Sequence, residues 1–338
     1  MMNKNSYWVT ISSRGFTEDN LIKLISYNPD GVRINTGRDS YEWAKQTICF
    51  LIQNSYPSSK IFLDIGNNKP RIRLKKGLEH FITSVAIINI GYRDTGEIDG
   101  SVNSTLFFET LEKDDVVLIG DGEIKCEVLS NADYVATLHI CNDGVITNLT
   151  AIGIEGKDCF RFGITPSEHR IIKEILINHK ISLIVSFVKT ENDVIWVEEN
   201  FPEASVIMPK IETLSAVGNI EKIFCRSQLV LLGRGDLALS VGIEKLGIIQ
   251  KMILEEAQKY RCNVVIASGT LESLLHNNIP NRSDIIDITN SYISGASGIM
   301  LTSETGASKM PFTVIDFLAK VIEYLVSEYN IEYFEYLK

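Results

Sequence analysis

An α/β fold, a (β/α)8 TIM barrel with a small all-β lid domain inserted after its third strand, is what this sequence predicts, and three observations carry the expectation. Eight short apolar runs alternate with amphipathic stretches of helical periodicity. One interval, from about Leu74 to Asp158, breaks that alternation with strand and turn signals and no convincing helix. Cations and carboxylates gather at the C-terminal ends of the runs, where barrels of this kind carry their chemistry.

The runs, in order, are YWVTI from Tyr7, GVRIN from Gly31, KIFLDI from Lys60, ISLIVSF from Ile181, ASVIMPKIE from Ala204, QLVLLG from Gln228, NVVIAS from Asn263 and SGIMLT from Ser297. Their near-continuous apolar character fits parallel strands buried on both faces. Thr17 can cap a first helix, with Glu18 and Asp19 well placed in its first turn. Ser40 precedes an apolar periodicity through Trp43, Ile48, Leu51 and Ile52. A last helix starts at Pro311, runs to Tyr329 and closes the barrel. In the interrupted interval, SVAIINIGY, VVLIGDGEIKCEVLS and YVATLHICNDGVITNLTAIGI suggest strands, and Asn142-Asp143-Gly144 suggests a hairpin turn. The expected domains are therefore residues 1–73 and 159–338 for the barrel and 74–158 for the lid.

A formal charge of −10 over 338 residues argues against nucleic acid as a partner, which would call for a basic face. No segment approaches the ~20 uninterrupted apolar residues of a membrane helix, and the start, MMNKNSYWVTISS, lacks the apolar core of a signal peptide. The six cysteines are scattered without a C-x-x-C pair, which suggests buried, reduced thiols in a cytoplasmic protein. The five histidines are dispersed too, and no pair has metal-ligand spacing.

The strand ends are more informative. Strand five ends in Lys210-Ile211-Glu212, and residues two apart on a strand share a face, so ammonium and carboxylate enter the barrel mouth together. Strand six ends in Gly233-Arg234-Gly235-Asp236, strand eight in Thr302-Ser303-Glu304-Thr305, strand two in Arg33-Ile34-Asn35 and strand three in Asp64; Arg73 follows on the connection into the lid. Carboxylates on adjacent strands can hold a hard cation such as Mg²⁺ or Mn²⁺. Lys210, Arg33 and Arg73 can bind an anion beside it, as a phosphoryl group or an enolate requires. Each residue alone has a plainer explanation: a snorkelling lysine, a helix-capping Glu212, a turn residue at Asp236. Their convergence on one rim is what favours chemistry.

These residues bring the chain close to a known family. PKIETLSAVGNIEKI, GRGDLALSVGIEKLGIIQKMI, VVIASGTLES and NRSDIIDITNSYISGASGIMLTSETGASKMP, between Pro209 and Pro311, are ordered and spaced as in pyruvate kinase. VRINTGRDSYE, LDIGNNKPRIR, GDGEIKCEVL and SFVKTENDV add support in the same order, so the chain resembles pyruvate kinase over essentially its full length. The resemblance implies phosphoryl transfer between phosphoenolpyruvate and a nucleotide diphosphate, with phosphoenolpyruvate or pyruvate and ADP or ATP as small-molecule partners. It implies that Glu212 and Asp236 hold the divalent metal, that Lys210 neutralises the transferring phosphoryl and the enolate, and that Arg33 and Arg73 grip phosphate oxygens. The backbone around Gly235 and the hydroxyl of Ser268, which replaces the family's threonine, would contact the substrate carboxylate or assist enolate protonation. Asn35 and Asp64 sit where the family builds its monovalent-cation site, and Glu304 supports the far side.

Several positions depart from the family pattern. Gly37 and Ile65 replace two hydroxyl ligands of potassium, and Arg71 stands where potassium-dependent members carry glutamate. Its guanidinium is expected to substitute for potassium, which would then not be required. On the acceptor side Arg38 replaces a histidine, Ser167 a lysine and Gly269 a glutamine, while the loop after Asp64 is about two residues longer. Arg38 can still meet a phosphate. The chain stops after the eighth helix, so the family's C-terminal regulatory domain and its allosteric control are not expected; a homo-oligomer is allowed for. Three functions compete: a pyruvate kinase-like phosphotransferase; a metal-dependent pyruvate-enolate lyase or decarboxylase, or a phosphotransferase with another acceptor; and a non-catalytic paralogue.

Overall fold

The computed structural model describes residues 7–66, 68–75, 84, 86–92, 98–120 and 122–329. Three strands open the chain: β1 (Tyr7–Ile11), β2 (Gly31–Asn35) and β3 (Ile61–Ile65). Seven follow in the interrupted interval: β4 (Arg71–Leu74), β5 (Ile87–Gly91), β6 (Gly100–Val102), β7 (Val116–Ile119), β8 (Ile124–Ala132), β9 (Val135–Ile140) and β10 (Thr150–Ile154). The last five are β11 (Ser182–Val185), β12 (Ile207–Ile211), β13 (Leu229–Gly233), β14 (Asn263–Ala267) and β15 (Gly298–Leu301).

Strands β1, β2, β3 and β11 to β15 form a closed barrel in which every pairing is parallel. Strands β4 to β10 close a second barrel, antiparallel except where β5 lies beside β6. Each of the eight apolar runs contains one strand of the parallel barrel. Helices coat its outside, and the apolar residues between strands and helices make the larger core.

Inside the parallel barrel, side chains alternate in and out along each strand. Trp8, Phe62, Ile184, Met208, Leu231, Val265 and Met300 fill the floor. Two residues further along the same inward faces stand Thr10, Asp64, Ser186, Lys210, Gly233, Ala267 and Thr302. Period-two geometry thus changes an apolar plug into a rim of polar or small residues within one step.

The helix ends follow local chemistry. Thr17 caps Glu18–Tyr27 by accepting from Asn20 N at 3.4 Å, and Ser40 caps Tyr41–Gln53 by accepting from Trp43 N at 3.2 Å. Thr165 and Glu168 form a reciprocal capping box at the start of Pro166–His179. The final helix spans Pro311–Tyr329.

Three expectations need correction. The interval holds a helix, Thr105–Thr110, capped by Ser104 and burying Phe107 and Phe108; six residues are too few for a periodic signal. The second barrel starts at β4, so its first strand begins before the expected boundary at residue 74 and includes Arg71 and Arg73. Asn142-Asp143-Gly144 does not turn a hairpin, since β9 and β10 pair with different neighbours. Instead the Asn142 side chain accepts from Lys125 N and donates to Glu123 O. The tight hairpin is β8 to β9, through Asp133 (φ 51°) and Tyr134 (φ 60°), both left-handed as a type I′ turn demands, without the glycine that would advertise it.

On the return from the second barrel, Asp158 binds the parallel barrel. It accepts from Leu214 N and Ser215 N, both at 2.8 Å, and from Ser240 Oγ at 2.9 Å. Phe160, Phe187 and Leu239 extend the second barrel's core into the first. Cys126, Cys159 and Cys262 are buried thiols and Cys49 is half-buried, whereas Cys141 and Cys225 are exposed, contrary to the expectation of burial.

Candidate active site

A cleft of about 560 Å³ opens at the C-terminal rim of the parallel barrel. Arg33, Asn35, Arg38, Arg71, Lys210, Gly235, Asp236 and Ser268 line it, together with Lys69 and Arg234. Asp64, Glu212 and Glu304 are fully buried beneath or behind its surface. Arg73 is exposed on β4 and is not part of the lining.

The centre is a chain of inward-facing charges. Arg33 donates through Nε to Asp64 Oδ2 at 2.8 Å, approaches the same oxygen with NH2 at 2.6 Å, and donates to Thr10 Oγ1 at 3.2 Å. Ser186 Oγ donates to the other oxygen of Asp64 at 2.7 Å. Asp64 therefore orients Arg33 from below, and both its oxygens are engaged by protein groups. The Thr36 hydroxyl donates to the Asp64 carbonyl at 2.7 Å, and Asn35 Oδ1 accepts from Gly37 N at 3.0 Å.

Lys210 Nζ lies 2.7 Å from Glu212 Oε2, and Glu212 Oε1 accepts from Phe187 N at 2.9 Å. Glu212 does not cap a helix; Thr213 takes that role for Leu214–Gly218. Burial works against the Lys210 ammonium, but Glu212 and Asp64 outweigh it and hold its pKa above the ordinary lysine value. Burial pushes Glu212 up to about 7 against the pull of Lys210. Burial also opposes charge on Asp236, yet Lys69 and Lys210 hold its carboxyl below the usual range. The two acids are coupled, so their protons are lost as a pair: burial raises Glu212, and the neighbouring ammonium groups lower Asp236.

Asp236 sits in the first turn of Arg234–Val241, which begins directly after β13. Gly233, the last residue of that strand, leaves the space these groups use: a Cβ there would lie 2.9 Å from Glu212 Oε2 and 3.0 Å from Lys210 Cε. Arg234 ties the neighbouring strand end, donating to Ser268 O at 2.8 Å, Thr270 Oγ1 at 3.0 Å and Asp287 Oδ1 at 2.8 Å. Ser268 is held at φ 76°, left-handed and costly for a residue with a Cβ. Glu304 accepts from Thr302 N at 2.6 Å, Thr302 Oγ1 at 2.9 Å and Thr270 N at 3.1 Å, and so braces the β14 and β15 ends without reaching the cleft.

Among the described residues no three His, Cys, Asp or Glu side chains converge as a metal cluster; the candidate is the pair Glu212 and Asp236. Glu212 Oε2 and Asp236 Oδ1 are buried and accept no directed hydrogen bond, although an ammonium lies against each. Two such oxygens suit a hard divalent ion that completes its shell with substrate and water. Arg71 donates NH1 to Leu149 O at 2.7 Å while its N–H binds Asn103 Oδ1 at 2.6 Å, which fixes it at the mouth beside Arg38. Burial and then the charge of Arg38 lower its pKa.

The family model described as pyruvate kinase, barrel domain, matches residues 10–315. The chain belongs to the pyruvate kinase family. It is 28% identical to the pyruvate kinase of Thermotoga maritima, with 96% of this chain and 71% of that protein aligned. It is 30% identical to the pyruvate kinase of Pyrobaculum aerophilum, over 93% of this chain and 68% of the relative. The crystal structure of pyruvate kinase from P. aerophilum superposes with a TM-score of 0.77 at 25% identity, covering 95% of this chain and 73% of that one. Among the described residues no helix of this family member is long and apolar enough to cross a membrane.

Sequence reasoning missed Lys69, Ser186, Thr10 and Arg234 as members of the site. Ser186 and Thr10 were findable, since they occupy inward positions by the same period-two rule that selected Lys210. Lys69 lies on a loop whose path no periodicity reveals.

Proposed function

We propose that this pyruvate kinase-like phosphotransferase moves a phosphoryl group between phosphoenolpyruvate and ADP with the help of Mg²⁺ or Mn²⁺. The observation that carries the reading is the convergence of Lys210, Arg33, the buried Glu212 and the half-buried Asp236 on one rim. A divalent ion held by Glu212 and Asp236 would neutralise charge on the phosphoryl and enolate oxygens. Lys210, kept charged by Glu212, would stabilise the transferring group and the enolate oxyanion. Arg33, pre-oriented by Asp64 and Thr10, would bind phosphate oxygens without losing freedom at the moment of reaction. The N–H groups at Gly235 open a helix and offer donors to a substrate carboxylate. Ser268 would contact that carboxylate or assist enolate protonation.

Arg38 would meet a phosphate at the mouth, and Asn35 would line the same side. Arg71 would supply the positive charge of a monovalent cation, making potassium unnecessary. Arg73 would reach a phosphate only if β4 moved inward. Glu304 would act through the strand ends it braces. The comparisons lend no support to the lyase, decarboxylase, other-acceptor or non-catalytic alternatives.

Coupled detection of pyruvate from phosphoenolpyruvate and ADP with Mg²⁺ tests the proposal. Metal-dependent pyruvate formation is expected, with activity retained in potassium-free buffer. Absence of pyruvate and of any new signal by phosphorus NMR would refute it; enolate chemistry such as oxaloacetate decarboxylation without nucleotide would move the chain to the second class.

A further inference from the structure

The loop between β3 and β4 brings a second ammonium, after that of Lys210, to the acid pair. Lys69 Nζ forms an ion pair with Asp236 Oδ1, and the two side chains are only 11% and 15% exposed. Its backbone is fixed on both sides. Asn68 Nδ2 donates to Gly163 O at 2.8 Å, Pro70 O accepts from Ile152 N at 3.1 Å, and Arg71 N is held by Asn103. The flexible four-carbon stem of Lys69 is therefore the part free to move. An ammonium is a compact charge that competes for the same oxygen lone pairs as a metal ion.

We infer that Lys69 is a tethered competitor of the divalent cation: without metal its ammonium occupies Asp236, and the metal binds only as that ammonium swings away. This rests on the reading of Glu212 and Asp236 as the metal carboxylates. A divalent ion and an ammonium cannot share contact with one carboxylate oxygen without strong mutual repulsion, so the two states exclude each other. The exchange keeps Asp236 neutralised in either state, as a largely desolvated carboxylate requires.

Mn²⁺ titration of the full chain, read by electron paramagnetic resonance without substrate, tests the inference. Lys69→Met removes the competitor and should bind Mn²⁺ about tenfold or more tighter than wild type, a difference of about 1.4 kcal/mol or more. Acetylation of lysines followed by mass spectrometry gives a second measurement on the unaltered protein: Lys69 should label slowly without metal and faster with saturating Mn²⁺. Equal or weaker Mn²⁺ binding by Lys69→Met, or Lys69 labelling that ignores Mn²⁺, overturns the competition while the metal pair stands. No Mn²⁺ binding by either protein overturns both.

Discussion

Replacing Gly233 by alanine is the sharpest perturbation of the site, because it adds one methyl group and removes none of the reacting groups. The backbone at Gly233 has φ −90° and ψ 88°, which carries no positive-φ penalty, so the effect is steric. The new Cβ would stand 2.9 Å from Glu212 Oε2 and 3.0 Å from Lys210 Cε, where ordinary contact begins at 3.4 Å. Glu212 cannot retreat freely, since Oε1 is held by Phe187 N and the side chain is fully buried. Both groups must shift by about 0.4–0.5 Å to restore contact. Overpacking of this kind costs roughly 1–3 kcal/mol, offset by roughly 0.4–1 kcal/mol from the stiffer unfolded chain. The fold should therefore survive with a small loss of stability. Catalysis is less forgiving: misplacing reacting groups by ~1 Å can cost ~100-fold, so turnover should fall about 10-fold or more. Urea unfolding and coupled pyruvate formation measure the two effects separately. Turnover within about twofold of wild type would refute the argument that Lys210 and Glu212 must hold these positions.

Lys210→Met should lower turnover by ~10³-fold or more while phosphoenolpyruvate still binds, checked by single-turnover kinetics beside equilibrium binding; near-normal turnover removes the role given to Lys210. Arg71→Gln should make activity respond to added potassium, read from initial rates with and without the salt, whereas indifference to potassium would reject Arg71 as its replacement. Burial raises the Glu304 pKa against three donors. Folding therefore favours its protonated form, and its contribution to stability is full below the unfolded value near ~4.3 and lost as pH climbs through the folded one. The stability of wild type relative to the non-titrating Glu304→Gln should fall by up to about 1.4 kcal/mol per pH unit above pH ~4.3, until the folded form ionises. Urea midpoints that keep a constant gap would contradict this. Asp158→Ala strands two backbone donors and the Ser240 hydroxyl, and should lower stability by about 1–3 kcal/mol in the same assay; an unchanged midpoint would show that the tie is dispensable.

What could be seen in the sequence, and what could not, follows from the range of each interaction. The parallel barrel was legible because every one of its strands is a local apolar run, and Lys210 with Glu212 could be paired because period two is local geometry. Asp64 was named as the carboxylate that ends strand three, but its engagement by Arg33 and Ser186 joins three strand ends, one of them more than a hundred residues away. The helix Thr105–Thr110 escaped notice because its signal is a cap and one turn. The β8–β9 hairpin was hidden because Asp133 and Tyr134 adopt left-handed backbone without glycine, while Asn142-Asp143-Gly144 looked like a turn although its asparagine serves as a side-chain bridge. Lys69 was invisible for another reason: a loop is positioned by the tertiary contacts of Asn68 and Arg71, not by a pattern of its own.

Asp158 has a mechanical consequence. The helices it grips, Leu214–Gly218 and Arg234–Val241, start immediately after Glu212 and just before Asp236. The opposite crossing between the barrels ends in Lys69, which leans on Asp236 itself. Both crossings to the small barrel are thus anchored on the elements that carry the acid pair, one through Asp158 and the other through the contact of Lys69 with Asp236.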